Sequence, residues 1–303
     1  MDLVARVPRL PQRGETIAGL RFDTFLGGKG LNQAVAAQRM GASVAMVARV
    51  GADDFGQRMQ EALGDEGVDA AHVATDREHA TGTAHIVVED GTGDNTIVIV
   101  PGANGALAPN DVDQAADLIK SARVLLLQLE VPLATVVHAA QIAHAAGVRV
   151  VLTPAPVQPL PNELLQCVDV LVPNQVEIGQ LLQQGIEPLD GARALIARGC
   201  RAIVVTLGAQ GALLVTGGMQ QQVPPFSVPV VDTVAAGDAF AGALAALLAE
   251  GRSIQDAVRY AGAGGALAVT KAGALPSLPQ RADVEQLVIR KSKRRHAPSR
   301  EHS

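Results

Sequence analysis

Runs of consecutive apolar residues alternate with segments of helical periodicity along most of the chain. Residues 42–51 (ASVAMVARVG) read as a buried strand bounded by glycines. The segment DDFGQRMQEALGDEG that follows reads as a helix, with Asp53 or Asp54 as N-cap and a glycine stop. Residues 122–130, 148–156, 168–174 and 201–208 are further strand candidates, each followed by a helical or turn segment. Strands that are apolar throughout suit a parallel sheet covered on both faces, and their alternation with helices predicts βαβ units.

Two regions break the rhythm. Residues 6–22 and 81–100 have strand character with no helix between, and residues 83–102 (TAHIVVEDGTGDNTIVIVPG) read as a hairpin about a Gly/Asp/Asn turn. Together they predict a small antiparallel sheet appended to the main one, a candidate lid or dimer surface. The expected organisation is one α/β domain over residues 1–288, with lid strands near 3–23 and 81–101. The basic, polar segment 289–303 is expected to be a disordered, solvated tail.

Composition narrows the function classes. A chain of 303 residues that is 48% hydrophobic can bury a large core. The net charge of −5, with 2% aromatic residues and no Trp, argues against a nucleic-acid partner. The longest apolar run, residues 239–249, is too short for a membrane span, and residues 1–15 are not expected to act as a signal peptide because they contain no apolar core of sufficient length. Cys167 and Cys200 have no metal or redox spacing, the seven histidines form no ligand pair, and a cytoplasmic, reducing location is expected.

Two glycine-rich stretches carry the candidate chemistry. Residues 23–41 (DTFLGGKGLNQAVAAQRMG) lack the spacing and the hydroxyl that a Walker A loop requires after its lysine, and they contain no G-x-G-x-x-G. Residues 230–251 pass from an extended segment through Ala235, Ala236 and Gly237 into a helix stopped at Gly251. Small residues at a helix start admit a ligand, and the free N–H groups there suit an anion. Asp238, in the first turn, reads equally as a dipole-complementing residue or as a general base.

GGKGLNQAVAA and DTVAAGDAFAGAL closely resemble the two signatures of the ribokinase-like (PfkB) sugar kinases. LPQRGETIAG, LLLQLEVP, TPAPVQPL, VPNQVEIGQLL, VTLGAQGAL and AVTKAGALPSLP match further landmarks in order, from Asp2 to about Pro279. GGKGxNQA together with GETI resembles the ribokinase branch. The resemblance implies a ribokinase-like α/β fold with a β lid, and transfer of the ATP γ-phosphate to O5 of D-ribose. Deoxyribose, another pentose or a nucleoside is the alternative acceptor, and an inactive sugar-binding relative is the alternative of another class.

The roles of individual residues follow from the same resemblance. It implies a sugar site of Asp2, Gly28, Lys29, Asn32, Glu130 and Asp238, with Asp238 as base and Ala235, Ala236 and Gly237 as an anion hole. It implies nucleotide contacts from Asn174, Thr206, Leu207, Gly208, Ala209, Gln210, Gly211 and Gly237, and Mg²⁺ served by Glu177 through water. An activating K⁺ would sit among Asp232, Val234, Ala268, Lys271, Gly273 and Ser277, of which Asp232 and Ser277 are the informative side chains. A homodimer through the lid is also implied.

Some positions depart from the pattern. Thr153 stands where Asn usually precedes Pro-Ala-Pro, Ala241 replaces a common Asn, and Gly262 lies where a side chain often flanks adenine. Relatives open with a strand and a Gly-Ser-x-Asn turn ahead of the sugar-binding Asp, whereas Met1 directly precedes Asp2 here. The expectation is a longer reading frame that supplies that strand, and unpaired ladder edges inside the sheet of the present chain.

Overall fold

The computed structural model describes residues 1–182 and 185–296, with side chains to residue 291. Its strands are β1 (Asp2–Val7), β2 (Arg21–Phe25), β3 (Ala45–Gly51), β4 (Asp69–Asp76), β5 (Thr83–Glu89), β6 (Asn95–Val100), β7 (Val124–Leu127), β8 (Arg149–Leu152), β9 (Val170–Leu171), β10 (Ala202–Thr206), β11 (Ala212–Thr216) and β12 (Gln220–Val223). Its helices are α1 (Lys29–Arg39), α2 (Asp54–Asp65), α3 (Pro109–Gln114), α4 (Ala116–Ser121), α5 (Leu133–Ala145), α6 (Asn162–Cys167), α7 (Gln175–Leu181), α8 (Pro188–Ala197), α9 (Ala236–Ala249), α10 (Ile254–Ala268) and α11 (Arg281–His296).

Six strands form the main sheet in the order β12-β11-β10-β9-β8-β7, parallel from β7 to β10. Side chains alternate between its faces, and both faces are buried. Val150, Leu152, Ile203 and Val205 pack with α5, α6 and α8, whereas Val151, Ala202 and Val204 pack with α9, α10 and α11. This is the α/β architecture that the apolar runs predict. β3 and β4 form a separate parallel pair, which packs with α1 and α2 around Leu31, Val35, Val50 and Leu63. Among the described residues, the second edge of β3 and that of β7 have no strand partner.

The two strand-like regions meet in a four-stranded sheet, β2-β1-β5-β6. It is mixed rather than antiparallel: β1 and β5 run parallel. The reason is connectivity, because residues 26–82 cross the molecule between β2 and β5, and only directly linked strands are obliged to reverse. The run 168–174 yields only two strand residues and an isolated bridge between Asn174 and Thr206. Pro173 has no N–H for the ladder, and Asp169 uses its carboxylate to cap the Val150 N–H at 2.8 Å.

The expected disordered tail is corrected over residues 289–296, which continue α11. Lys291 anchors this end through the carbonyls of Pro224 and Pro225, with its ammonium 4.4 Å from the Phe226 ring centre. The remainder of that segment, 297–303, lies outside the described residues. No described helix is long and apolar enough to cross a membrane.

Candidate active site

The carboxyl ends of β7 to β10 converge on one side of the sheet, where open α/β sheets bind ligands. Glu130 follows β7, Thr153 follows β8, Asn174 follows β9, and Thr206 ends β10. The N-termini of α1 and α9 approach the same region. Helices α1 and α9 pack closely because Gly242 has no side chain: a Cβ there would lie 2.6 Å from the Gln33 carbonyl and 2.8 Å from the Ala37 nitrogen. Gly242 is four residues beyond Asp238, hence on the same helical face. That contact brings Asp238 against Asn32 and Gln33.

Asp238 is buried and held at both oxygens. Asn32 Nδ2 donates to Oδ2 at 2.9 Å, and Gln33 Nε2 donates to Oδ1 at 2.9 Å. Asn32, 5% exposed, keeps its Oδ1 buried without a hydrogen-bond partner among the described residues. Glu130 Oε2 accepts from the Lys29 backbone N–H at 2.8 Å, across the start of α1. Asp2, at the head of β1, lies against Gly27, where any Cβ would overlap its carboxylate.

Electrostatics tie these groups together. Burial pushes the Glu130 carboxyl up; the Lys29 N–H and charge oppose this, while Asp238 and Asp2 add to it. Burial also raises Asp2, with the Met1 ammonium opposing and Asp238 reinforcing. Glu177 is raised by burial too, and it feels Lys29 and Asp238. The Met1 ammonium donates to the Gly82 carbonyl at 2.9 Å, and burial lowers its pKa against the pull of Asp2 and Glu130. Asp2, Lys29, Asn32, Glu130, Glu177 and Asp238 thus share one electrostatic neighbourhood.

On the α9 side, Ala235 caps the helix in the left-handed conformation, φ 59°. This turn presents the helix start: Ala236 N–H bonds weakly to the Thr233 carbonyl at 3.3 Å, while the N–H groups of Ala235 and Gly237 find no acceptor among the described residues. The space beside Gly237 is open. Two uncommitted donors at a helix N-terminus suit an anion.

Asn174 caps α7, its Oδ1 accepting from the Val176 and Glu177 N–H groups at 2.8 Å. Glu177 Oε2 returns a bond to the Asn174 N–H at 2.7 Å, and its Oε1 makes no hydrogen bond among the described residues. The turn from Leu207 to Gly211, with Gly208, Ala209 and Gln210 between, is closed by Leu207 N–H on the Gly211 carbonyl at 2.8 Å. It adjoins Asn174 through the bridge to Thr206.

No described cluster of three or more His, Cys, Asp or Glu side chains is placed to hold a metal ion. The free oxygen of Glu177 fits a hydrated divalent ion. Asp232 ties two loops together, accepting from Val234 N–H at 3.0 Å and Gly273 N–H at 2.9 Å. Lys271 N–H meets the Ala268 carbonyl at 3.4 Å, and the buried Ser277 hydroxyl donates to the Ala274 carbonyl at 2.8 Å.

Several participants lie outside the expected set of site residues. Gln33 is hidden beside Asn32 in the same motif, and Gln128 in a strand run. Gly27 and Gly242 act only through tertiary contacts, although the small-residue stretches containing them are visible in the sequence. Thr153 stands out there only as a departure from the family pattern.

Comparison with known proteins places the chain in a family. Residues 1–281 match the model of the pfkB family carbohydrate kinases. The chain is 41% identical over 286 residues to the ribokinase of Haemophilus influenzae, covering 92% of each protein. It is 36% identical over 284 residues to the deoxyribokinase of Salmonella typhi, again covering 92% of each. The solved structure of Arabidopsis thaliana ribokinase complexed with ribose and ATP superposes with a TM-score of 0.86 at 34% identity, over 95% of both chains. The chain belongs to the pfkB family of carbohydrate kinases.

Proposed function

We propose that the chain transfers the γ-phosphoryl group of ATP to O5 of D-ribose, giving ribose 5-phosphate and ADP. The observation that carries this reading is the position of Asp238. It sits between uncommitted N–H groups at the α9 start and the side chains of Asn32, Glu130 and Asp2. Sugar hydroxyls donate to Asp2, Glu130 and Asn32 Oδ1, while Lys29 donates in return and Gly28 lets the ring near the backbone. Asp238 accepts the O5 proton as O5 bonds to the γ-phosphorus. The bond from that phosphorus to the β,γ-bridging oxygen breaks, and ADP departs with the electron pair.

The Ala235 and Gly237 N–H groups, with a smaller share from Ala236, face the charge that develops on the phosphoryl oxygens. Asn174 and the Thr206–Gly211 turn take the nucleotide. Glu177 would hold the Mg²⁺ that accompanies ATP, and the ion would supply charge neutralisation of the phosphates. Asp232, with Val234, Ala268, Lys271, Gly273 and Ser277, would hold K⁺, which would supply positive charge near the α9 start. The protein works in the cytoplasm as a homodimer through the lid, without a nucleic-acid partner.

The test is ADP release with D-ribose, Mg-ATP and K⁺, beside the Asp238→Asn variant, with circular dichroism on both. The expected loss in kcat is about 10²–10⁴-fold. Full turnover by a folded Asp238→Asn enzyme removes the base assignment, and silence from the folded parent supports a binding relative without catalysis. The match to a deoxyribokinase favours 2-deoxyribose as the second reading; a higher kcat/KM for 2-deoxyribose than for ribose would adopt it.

A further inference from the structure

Gln33 is 1% exposed in the interior of α1, an unusual place for an amide. All of its polar capacity is spent on side chains of other elements. Nε2 donates to Asp238 Oδ1 at 2.9 Å and to Thr153 Oγ1 at 3.1 Å, and Oε1 accepts from Gln128 Nε2 at 2.6 Å. The Thr153 hydroxyl in turn donates to the Leu127 carbonyl at 3.3 Å, and the Thr153 N–H donates to the same carbonyl at 2.9 Å.

This network fixes which way the amide faces. The Asp238 carboxylate can only accept, so Gln33 faces it with Nε2, which places Oε1 at Gln128 Nε2 and the second Nε2 hydrogen at Thr153. The Thr153 hydroxyl spends its own hydrogen on Leu127 and can accept. A flipped amide would set oxygen against the Asp238 carboxylate and N–H against N–H at Gln128. The orientation is therefore set by Asp238 and braced by Gln128 and Thr153 at the β7 and β8 ends.

Asn32 and Gln33 divide the work at Asp238. Asn32 keeps one buried oxygen without a partner among the described residues. Gln33 has no group left for a substrate. We infer that Gln33, clamped by Thr153 and Gln128, is a positioning residue that fixes the rotation of the Asp238 carboxylate and so aims its proton-accepting oxygen at the sugar hydroxyl. The inference rests on Asp238 being the general base. Thr153 acquires a role as well, because its hydroxyl is the acceptor that occupies the second N–H of Gln33. Misaiming a catalytic group by an ångström costs about 10²-fold in rate, so a side chain that touches no substrate can still control turnover.

The experiment compares Gln33→Met, Thr153→Val and Thr153→Ser with the parent and with Asp238→Asn, using ribose and Mg-ATP. Gln33→Met keeps length and removes both donors. Its kcat is expected to fall about 10- to 10²-fold with the ribose KM changed less than about twofold. Thr153→Val is expected to lower kcat by about three- to tenfold, and Thr153→Ser, which keeps the hydroxyl, to restore it. A kcat that survives in folded Gln33→Met while Asp238→Asn is inactive overturns the positioning role alone. A rise in KM at constant kcat overturns it as well, because it makes Gln33 a sugar contact. Full activity in Asp238→Asn overturns both the base and its positioner. Where Gln33→Met fails to fold, the Thr153 pair decides: equal kcat in Val and Ser variants overturns the proposal, and recovery in Ser alone supports it.

Discussion

Two sheets of similar strand composition meet opposite fates. In the main sheet, Val150, Val151, Leu152, Ile203 and Val204 are all 0% exposed. In the lid, Ile97, Val98, Ile99 and Val100 of the edge strand β6 are 48–57% exposed on both of its faces. Helices cover both faces of the first, and nothing within the described chain covers β6. The difference places the buried apolar core in the main sheet and leaves β6 with exposed apolar surface. An uncovered apolar edge is a liability in a monomer and an interface in a dimer.

The largest stability effect is expected in the main sheet. Ile203→Ala leaves a cavity between two helical layers and should cost about 2–5 kcal/mol in urea unfolding. A cost below about 1 kcal/mol would show that the site collapses. Next comes the α1–α9 contact. Gly242→Ala should cost about 1–3 kcal/mol and lower kcat, because its Cβ pushes the Gln33 turn away from Asp238. Unchanged kcat in that variant would separate helix packing from the chemistry.

Smaller still is the effect of charge in the site. Glu130 is raised in the folded protein by burial, so its stabilising contribution is present below the unfolded carboxylate value and is lost as pH rises through the folded one. Glu130→Gln should therefore raise the Tm of the free protein at neutral pH, with the gain vanishing in acid, while ribose binding weakens. A gain equal at both pH values would rule out the titration of Glu130 as its source. Smallest in stability is the lid: Ile97→Asp should shift monomer unfolding by no more than about 0.5 kcal/mol. It should nevertheless convert a dimer to a monomer in light scattering. A mass unmoved by the substitution would put the dimer interface elsewhere.

The same contrast explains what the sequence made legible. Apolar runs, the Asp53 cap, the 83–102 hairpin and the α9 start with its Gly251 stop are local features, governed by periodicity and turn chemistry. The parallel pairing of β1 with β5 depends on a long crossover and left no local mark. The helicity of residues 289–296 depends on an anchor at Pro224–Phe226, far away in sequence. In the site, Asn32, Lys29 and Asp238 were readable by resemblance. Gln33 was not, because a glutamine in a helix usually faces water, and only the neighbouring Thr153 and Gln128 reveal its orientation.

The orphan oxygen of Asn32 has a consequence for the Asp238 carboxylate. Its amide is conjugated, so a hydroxyl that donates to Oδ1 draws electron density from nitrogen and makes Nδ2–H a stronger donor to Asp238.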